Sequence, residues 1–174
     1  MTNHDLFLVA LITQTKEIKG KKALQKLLYL GKALGAPINY HFIMHMFGPF
    51  SYEVAAKYSD WEQKGIIKEQ KKETGTGFTY TTGNRAKVYS RLFGKRIESF
   101  RETVDKLVSP FGGKEPFELE VLATLHHLSR LLQKGEKSVT ETQLLNVFKT
   151  EKGDKFSDEE IKEAYSLLKK AELV

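Results

Sequence analysis

Lys21-Lys22-Ala23-Leu24-Gln25-Lys26-Leu27-Leu28-Tyr29-Leu30 leads through Tyr40-His41-Phe42-Ile43-Met44-His45-Met46 to the turn Phe47-Gly48-Pro49-Phe50-Ser51, and the reading of this stretch decides the fold. Leu24, Leu27, Leu28 and Leu34 recur at helical spacing, with Gly31 on the same face. A buried glycine there lets a neighbouring helix come close. Gly35-Ala36-Pro37 ends the helix by two independent signals, the permissive glycine and the proline that cannot continue it. The large aromatic and apolar side chains of residues 40–46 predict a strand. Gly48-Pro49 breaks it, Ser51 is suited to an N-cap, and Val54, Ala55, Tyr58 and Trp61 mark the buried stripe of a helix that stops at Gly65.

Towards the N-terminus, the apolar residues between Leu6 and Thr13 predict a supporting helix, and Lys16, Lys19, Lys21 and Lys22 cluster around Gly20. Towards the C-terminus, residues 66–70 and 78–81 read as two strands joined by a loop containing Gly75-Thr76-Gly77, which serves turn geometry. Helix, strand, helix and hairpin together predict a winged-helix-like unit, with the hairpin as the wing and residues 51–64 in the place of a recognition helix. Residues 82–109 resume a helical pattern through Tyr89, Leu92, Phe93, Phe100, Val104 and Leu107, weakened at Gly94, with Lys87, Arg91 and Lys95 along the opposite face.

Ser109-Pro110-Phe111-Gly112-Gly113 reads as a linker. Beyond it Pro116 opens a helix with Val121, Leu122, Leu125 and Leu132 inward, and two more are announced by the capping boxes Thr140/Gln143 and Ser157/Glu160. The expected fold is therefore mainly α, of the α+β class. It has a winged-helix-like unit and long helix over residues 1–110, a linker at 111–115, and a small three-helix unit at 116–174.

With 174 residues, 40% of them hydrophobic, the chain can bury a sizeable core. No apolar run is long enough to span a membrane and the first residues lack a signal-peptide pattern, so a soluble cytoplasmic protein is expected. Zero cysteines exclude disulfides, a thiol nucleophile and cysteine-ligated metal. The net charge of +6 is unevenly spread: residues 1–113 hold 18 Lys and Arg against 10 Asp and Glu, a balance of +8, whereas residues 114–174 hold 10 against 12, a balance of −2. Such a basic first part suits a polyanion or an acidic protein.

Nothing in the sequence assembles a catalytic centre, because phosphate-binding loops, nucleophile elbows and zinc-protease motifs are all missing. His41 and His45 would share one face of a strand and could join a third ligand, but packing or surface positions are far commoner for such histidines. His126 and His127 project about 100° apart on a helix, which disfavours joint ligation. Glu118 and Glu120 are expected to complement a helix dipole. No metal, cofactor or enzymatic activity is expected.

Two binding functions remain. Lys19, Lys21, Lys22, Lys68, Lys71, Lys72, Lys87, Arg91 and Lys95 could contact a nucleic-acid backbone, for which charge suffices. The helix at 51–64 carries Glu53, Asp60 and Glu62 against Lys57 and Lys64 and no arginine or asparagine, so readout of bases through it is not expected. Alternatively Tyr52, Phe50 and Trp61, beside the rigid Gly-Pro turn, could anchor a protein interface, with Trp61 and Phe47 more readily placed in the core. A homodimer along the long helix is also open.

Gln25-Lys26-Leu27-Leu28-Tyr29-Leu30, Phe47-Gly48-Pro49-Phe50-Ser51 with Glu53, Glu118-Leu119-Glu120 to Ala123-Thr124-Leu125, and Phe156-Ser157-Asp158-Glu159-Glu160-Ile161 resemble the YwgA-like proteins and, more distantly, the Panacea group that includes SocA-like antitoxins. The resemblance covers most of the chain. It implies a winged-helix-like fold and a regulatory or protein-binding role, with no catalytic residues to carry over. Panacea relatives act by binding a protein partner. The expectation is thus a non-catalytic regulatory protein that binds DNA through its backbone, or else a protein adaptor or antitoxin-like module.

Overall fold

In a computed structural model, which describes residues 1–72, 77–135 and 139–174, the chain is mainly helical with one three-stranded antiparallel sheet. The first helix, α1 (Asn3–Thr15), starts at a capping box in which Thr2 and Asp5 exchange side-chain to backbone hydrogen bonds. Its Leu6, Phe7, Leu8, Val9, Leu11 and Ile12 have no exposure, so α1 is apolar on all sides and lies at the centre of the N-terminal half. A short strand β1 (Glu17–Ile18) leads to α2 (Gly20–Ala33). Chain then crosses in an irregular segment to α3 (Tyr52–Gln63), whose cap is Ser51.

The hairpin of β2 (Ile67–Lys71) and β3 (Phe78–Thr82) follows, with Lys68 opposite Thr81 and Lys71 opposite Phe78. β1 joins the other side of β3, pairing Ile18 with Tyr80, so the strand order is β1-β3-β2. Two-residue β1 had no sequence signal of its own. The Gly75-Thr76 part of the expected hairpin loop lies outside the described residues.

The single long helix expected over residues 82–109 is instead three: α4 (Ala86–Leu92), α5 (Gly94–Glu98) and α6 (Arg101–Phe111). Phe93 leaves helical geometry at the first joint and a turn at Ser99-Phe100 forms the second, which lets the path bend around α1. Lys87 and Arg91 therefore share α4 while Lys95 starts a different helix, and the continuous basic stripe does not form. The proposed linker also differs: Ser109, Pro110 and Phe111 end α6, and Phe111 is fully buried.

Helix α7 (Pro116–Gly135) is buried along its middle and packs on α2 as well as on α8 (Glu141–Lys152) and α9 (Asp158–Lys170). A short 3-10 turn, Gly153–Lys155, separates the last two. Both capping boxes form as the sequence predicts, at Thr140 with Gln143 and at Ser157 with Glu160. One apolar core runs from α1 through α2 to α7 and α9.

Gly31 of α2 is where α1 and α6 come close to this helix. A Cβ added there would lie 3.2 Å from Leu107 of α6 and 3.3 Å from the Phe7 ring of α1. Replacement by leucine forces both helices outward, and such overpacking costs about 1–3 kcal/mol. Gly31→Leu is expected to lower the unfolding free energy by that amount, read as a lower urea midpoint at unchanged slope, whereas Gly94→Leu, where an added Cβ meets nothing within 4 Å, is not.

Candidate functional site

Residues 40–51 lie outside the regular elements between α2 and α3, and buried side chains of α2 determine their shape. The strand expected at residues 40–46 reduces to one bridge, in which Ile43 and Phe50 exchange backbone hydrogen bonds of 2.9 Å in both directions. Inside it, His45 and Gly48 bond each other, the Gly48 amide donating at 2.9 Å. His41 and His45 are exposed on this loop.

Gln25 and Lys26, each almost fully buried, clamp the turn. Gln25 Nε2 donates to the Ser51 carbonyl at 2.9 Å and Gln25 Oε1 accepts from the Ser51 amide at 3.0 Å, so the side-chain amide replaces a rung of backbone pairing. Ser51 Oγ then accepts from the Val54 amide and starts α3. Lys26 Nζ donates to the Pro49 carbonyl at 2.7 Å. Gly48 has φ +80°, and a Cβ on it would stand 2.5 Å from Thr124 Oγ1 on α7, so both the backbone conformation and the space demand glycine.

Below the turn lies Glu120 of α7, with no exposure. It accepts from Lys22 at 3.1 Å, Lys152 at 3.0 Å and Lys155 at 2.7 Å. Burial alone would raise this carboxyl, but the hydrogen bonds from Lys155, Lys152 and Lys22 outweigh it and hold the group below the ordinary value. Lys152 also donates to the Met46 carbonyl at 2.7 Å, which ties α8 to the loop. The helix-dipole role expected of both glutamates belongs to Glu118 alone, which accepts from the Glu115 amide at 2.8 Å. Burial lowers Lys26 to about 7, and the neighbouring Lys22, Lys152 and Lys155 act in the same direction against Glu120.

The turn carries a row of exposed apolar side chains. Met46 is 73% exposed, Tyr52 66% and Phe47 43%. Phe50 is half-buried, with its ring centroid 5.1 Å from Tyr52 and 5.4 Å from His45. Lys22 and Lys155 stand over the Phe47 ring at 4.1 and 4.9 Å. Between this loop, α2 and α3 opens a cleft of about 380 Å³.

Trp61 does not join this surface. It is fully buried, and its indole N–H donates to Asp5 Oδ1 at 2.9 Å, so it is a core residue and not an interface anchor. Asp5 also accepts from Lys64 at 3.2 Å. Of the nine basic residues, Lys19 pairs with Glu115, Lys22 with Glu120, and Lys21 lies 5.6 Å from the Tyr58 and Phe78 rings. Lys19 and Lys22 are thus spent on internal carboxylates, which the sequence did not reveal because their partners lie about a hundred residues away. Lys68, Lys71, Lys72, Lys87, Arg91 and Lys95 are exposed and form no ion pair among the described residues.

Elsewhere, Tyr29 and His126 share a buried hydrogen bond of 2.8 Å, and His127 also lies against the Tyr29 ring. Burial, aided by Arg130 and His127, lowers His126 to about 4. Among the described residues no three histidine or acidic side chains gather to hold a metal, and no helix is long and apolar enough to cross a membrane.

No family model matches the chain. It is similar to the uncharacterised protein YwgA of Bacillus subtilis (strain 168), with 25% identity over 162 residues, which cover 90% of this chain and 89% of the relative. The similarity thus runs through nearly the whole length of both chains. The clamp residues and the turn fall inside one fold unit, which accounts physically for why Gln-Lys and Gly-Pro-Phe-Ser occur together here.

Between pH 7 and the usual lysine value of 10.5 the unfolded chain holds a proton on Lys26 that the folded chain has released. Folding stability therefore rises with pH through that window, since the unfolded state binds more protons. Wild-type protein should gain stability from pH 7 to pH 10 relative to a Lys26→Met variant, as read from paired urea titrations at each pH.

Proposed function

We propose that this chain is a non-catalytic regulatory binding module that engages a protein partner through the turn at residues 43–52. The observation that carries the reading is the exposure of Met46, Phe47 and Tyr52 on a backbone fixed by Gln25, Lys26 and Gly48. Large side chains held in a rigid frame lose little entropy on binding, and exposed aromatics of this kind supply most of an interface's energy. An unclamped loop would have been freer to fold these side chains inward. The more distant resemblance to the Panacea group, whose members act by binding a protein partner, points the same way.

Photo-crosslinking tests the reading. A benzophenone amino acid at Tyr52 or Met46 is expected to yield discrete adducts with another protein in the cells that make this chain, and the same group at Leu131, exposed on α7, is not. Equal adducts from all three positions, or none from any, would overturn the proposal.

A second reading keeps support from one observation, the six exposed bases that form no ion pair among the described residues. On a winged-helix-like reading, Lys68 and Lys71 on β2, with Lys72 next to them, form a basic wing suited to phosphate contact. If they bind duplex DNA, anisotropy should show affinity that falls steeply between low and moderate salt and vanishes in Lys71→Glu/Lys72→Glu protein. Binding that ignores salt, or survives the double reversal, would remove this reading.

A further inference from the structure

The cleft beside the turn has a composition that narrows its occupant. Phe47, Phe50 and Tyr58 supply aromatic walls, and Lys21 and Lys22 supply its charge. At about 380 Å³ it has room for one or two side chains and not for a folded element. Its floor is Gly48, the residue that cannot carry a side chain because Thr124 lies against it.

The charge around the cleft is unbalanced. Lys22, Lys152 and Lys155 all converge on the single carboxylate of Glu120, with Lys26 buried alongside. Lys21 forms no ion pair among the described residues and meets only aromatic faces. One anion thus faces several cations, in surroundings screened from water on one side by α7. An approaching carboxylate gains attraction at the mouth without first displacing an existing counter-ion from Lys21. The aromatic walls behind it exclude water and would gain from an apolar side chain.

We infer that this cleft takes an acidic peptide segment of the partner, with one apolar side chain seated between Phe47, Phe50 and Tyr58 and a carboxylate against Lys21. The inference rests on the protein-partner reading of the same loop and specifies the chemistry that reading leaves open. A nucleic-acid strand brings anions too, but its charge is spread along a continuous backbone, whereas here the cations are gathered around one short apolar slot.

The test uses the full chain and a fluorescent peptide array. One set of peptides is acidic with a single Phe, Leu or Met; a second is acidic without it; a third replaces the acids by lysine; a single-stranded oligonucleotide is the fourth probe. The first set alone is expected to bind. Lys21→Glu and Phe47→Ala, both at exposed positions, should each weaken binding about tenfold, the scale of losing one interface anchor. Lys71→Glu should leave it unchanged.

Equal binding of the second set would overturn the apolar slot, because charge alone would then account for the affinity. Oligonucleotide binding of equal strength, lost in Lys21→Glu, would overturn the inference in favour of nucleic acid. Adducts from Tyr52 with no peptide bound would remove the cleft assignment and leave the protein-partner reading intact, whereas absence of both would remove both.

Discussion

A carboxylate with no access to solvent is expensive unless cations surround it, and Glu120 meets that condition by drawing lysines from three places in the chain. Lys22 comes from α2, Lys152 from the end of α8 and Lys155 from the 3-10 turn. These contacts fasten the last third of the chain to the first, beside the loop at residues 40–51. Removing the carboxylate would leave Lys152, itself almost buried, without a counter-charge, and breaking a buried pair in this way costs about 3–5 kcal/mol. The turn above it inherits this rigidity through Lys152, which also holds the Met46 carbonyl.

From that junction the geometry of the loop follows. Gln25 and Lys26 are polar residues at positions where the helical pattern would tolerate apolar ones, and each is buried because it completes backbone bonding that the loop cannot make for itself. Gly48 is fixed by Thr124. Three elements, α2, α7 and α8, therefore determine where Met46, Phe47 and Tyr52 stand. The exposed surface is small, but its position is determined as firmly as the core.

Local signals in the sequence were reliable where the physics was local. Three N-caps, at Ser51, Thr140 and Ser157, the stop at Gly65 and the close approach at Gly31 are all properties of a few neighbouring residues, and the structure places them as expected. Long-range electrostatics was not legible. Lys22 reads as a surface base until Glu120 is seen beneath it, and Glu120 reads as a dipole partner until its burial is known. The strand expected at residues 40–46 failed for a related reason, since aromatic content signals burial but not which backbone will supply the hydrogen bonds. The long helix at 82–109 failed because its apolar period survives two joints that bend it around α1.

The position of β2 at the edge of the sheet gives its lysines a further consequence. An edge strand offers unpaired N–H and C=O groups to any other strand, including the same strand of another copy. Lys68 and Lys71 stand on opposite faces of this strand, so a strand adding to its one open edge would have to lie beside a lysine on each face. These side chains guard the molecule against association through its sheet, whatever else they touch. Replacing them with alanine would open an adhesive edge, while replacing them with glutamate would keep it closed.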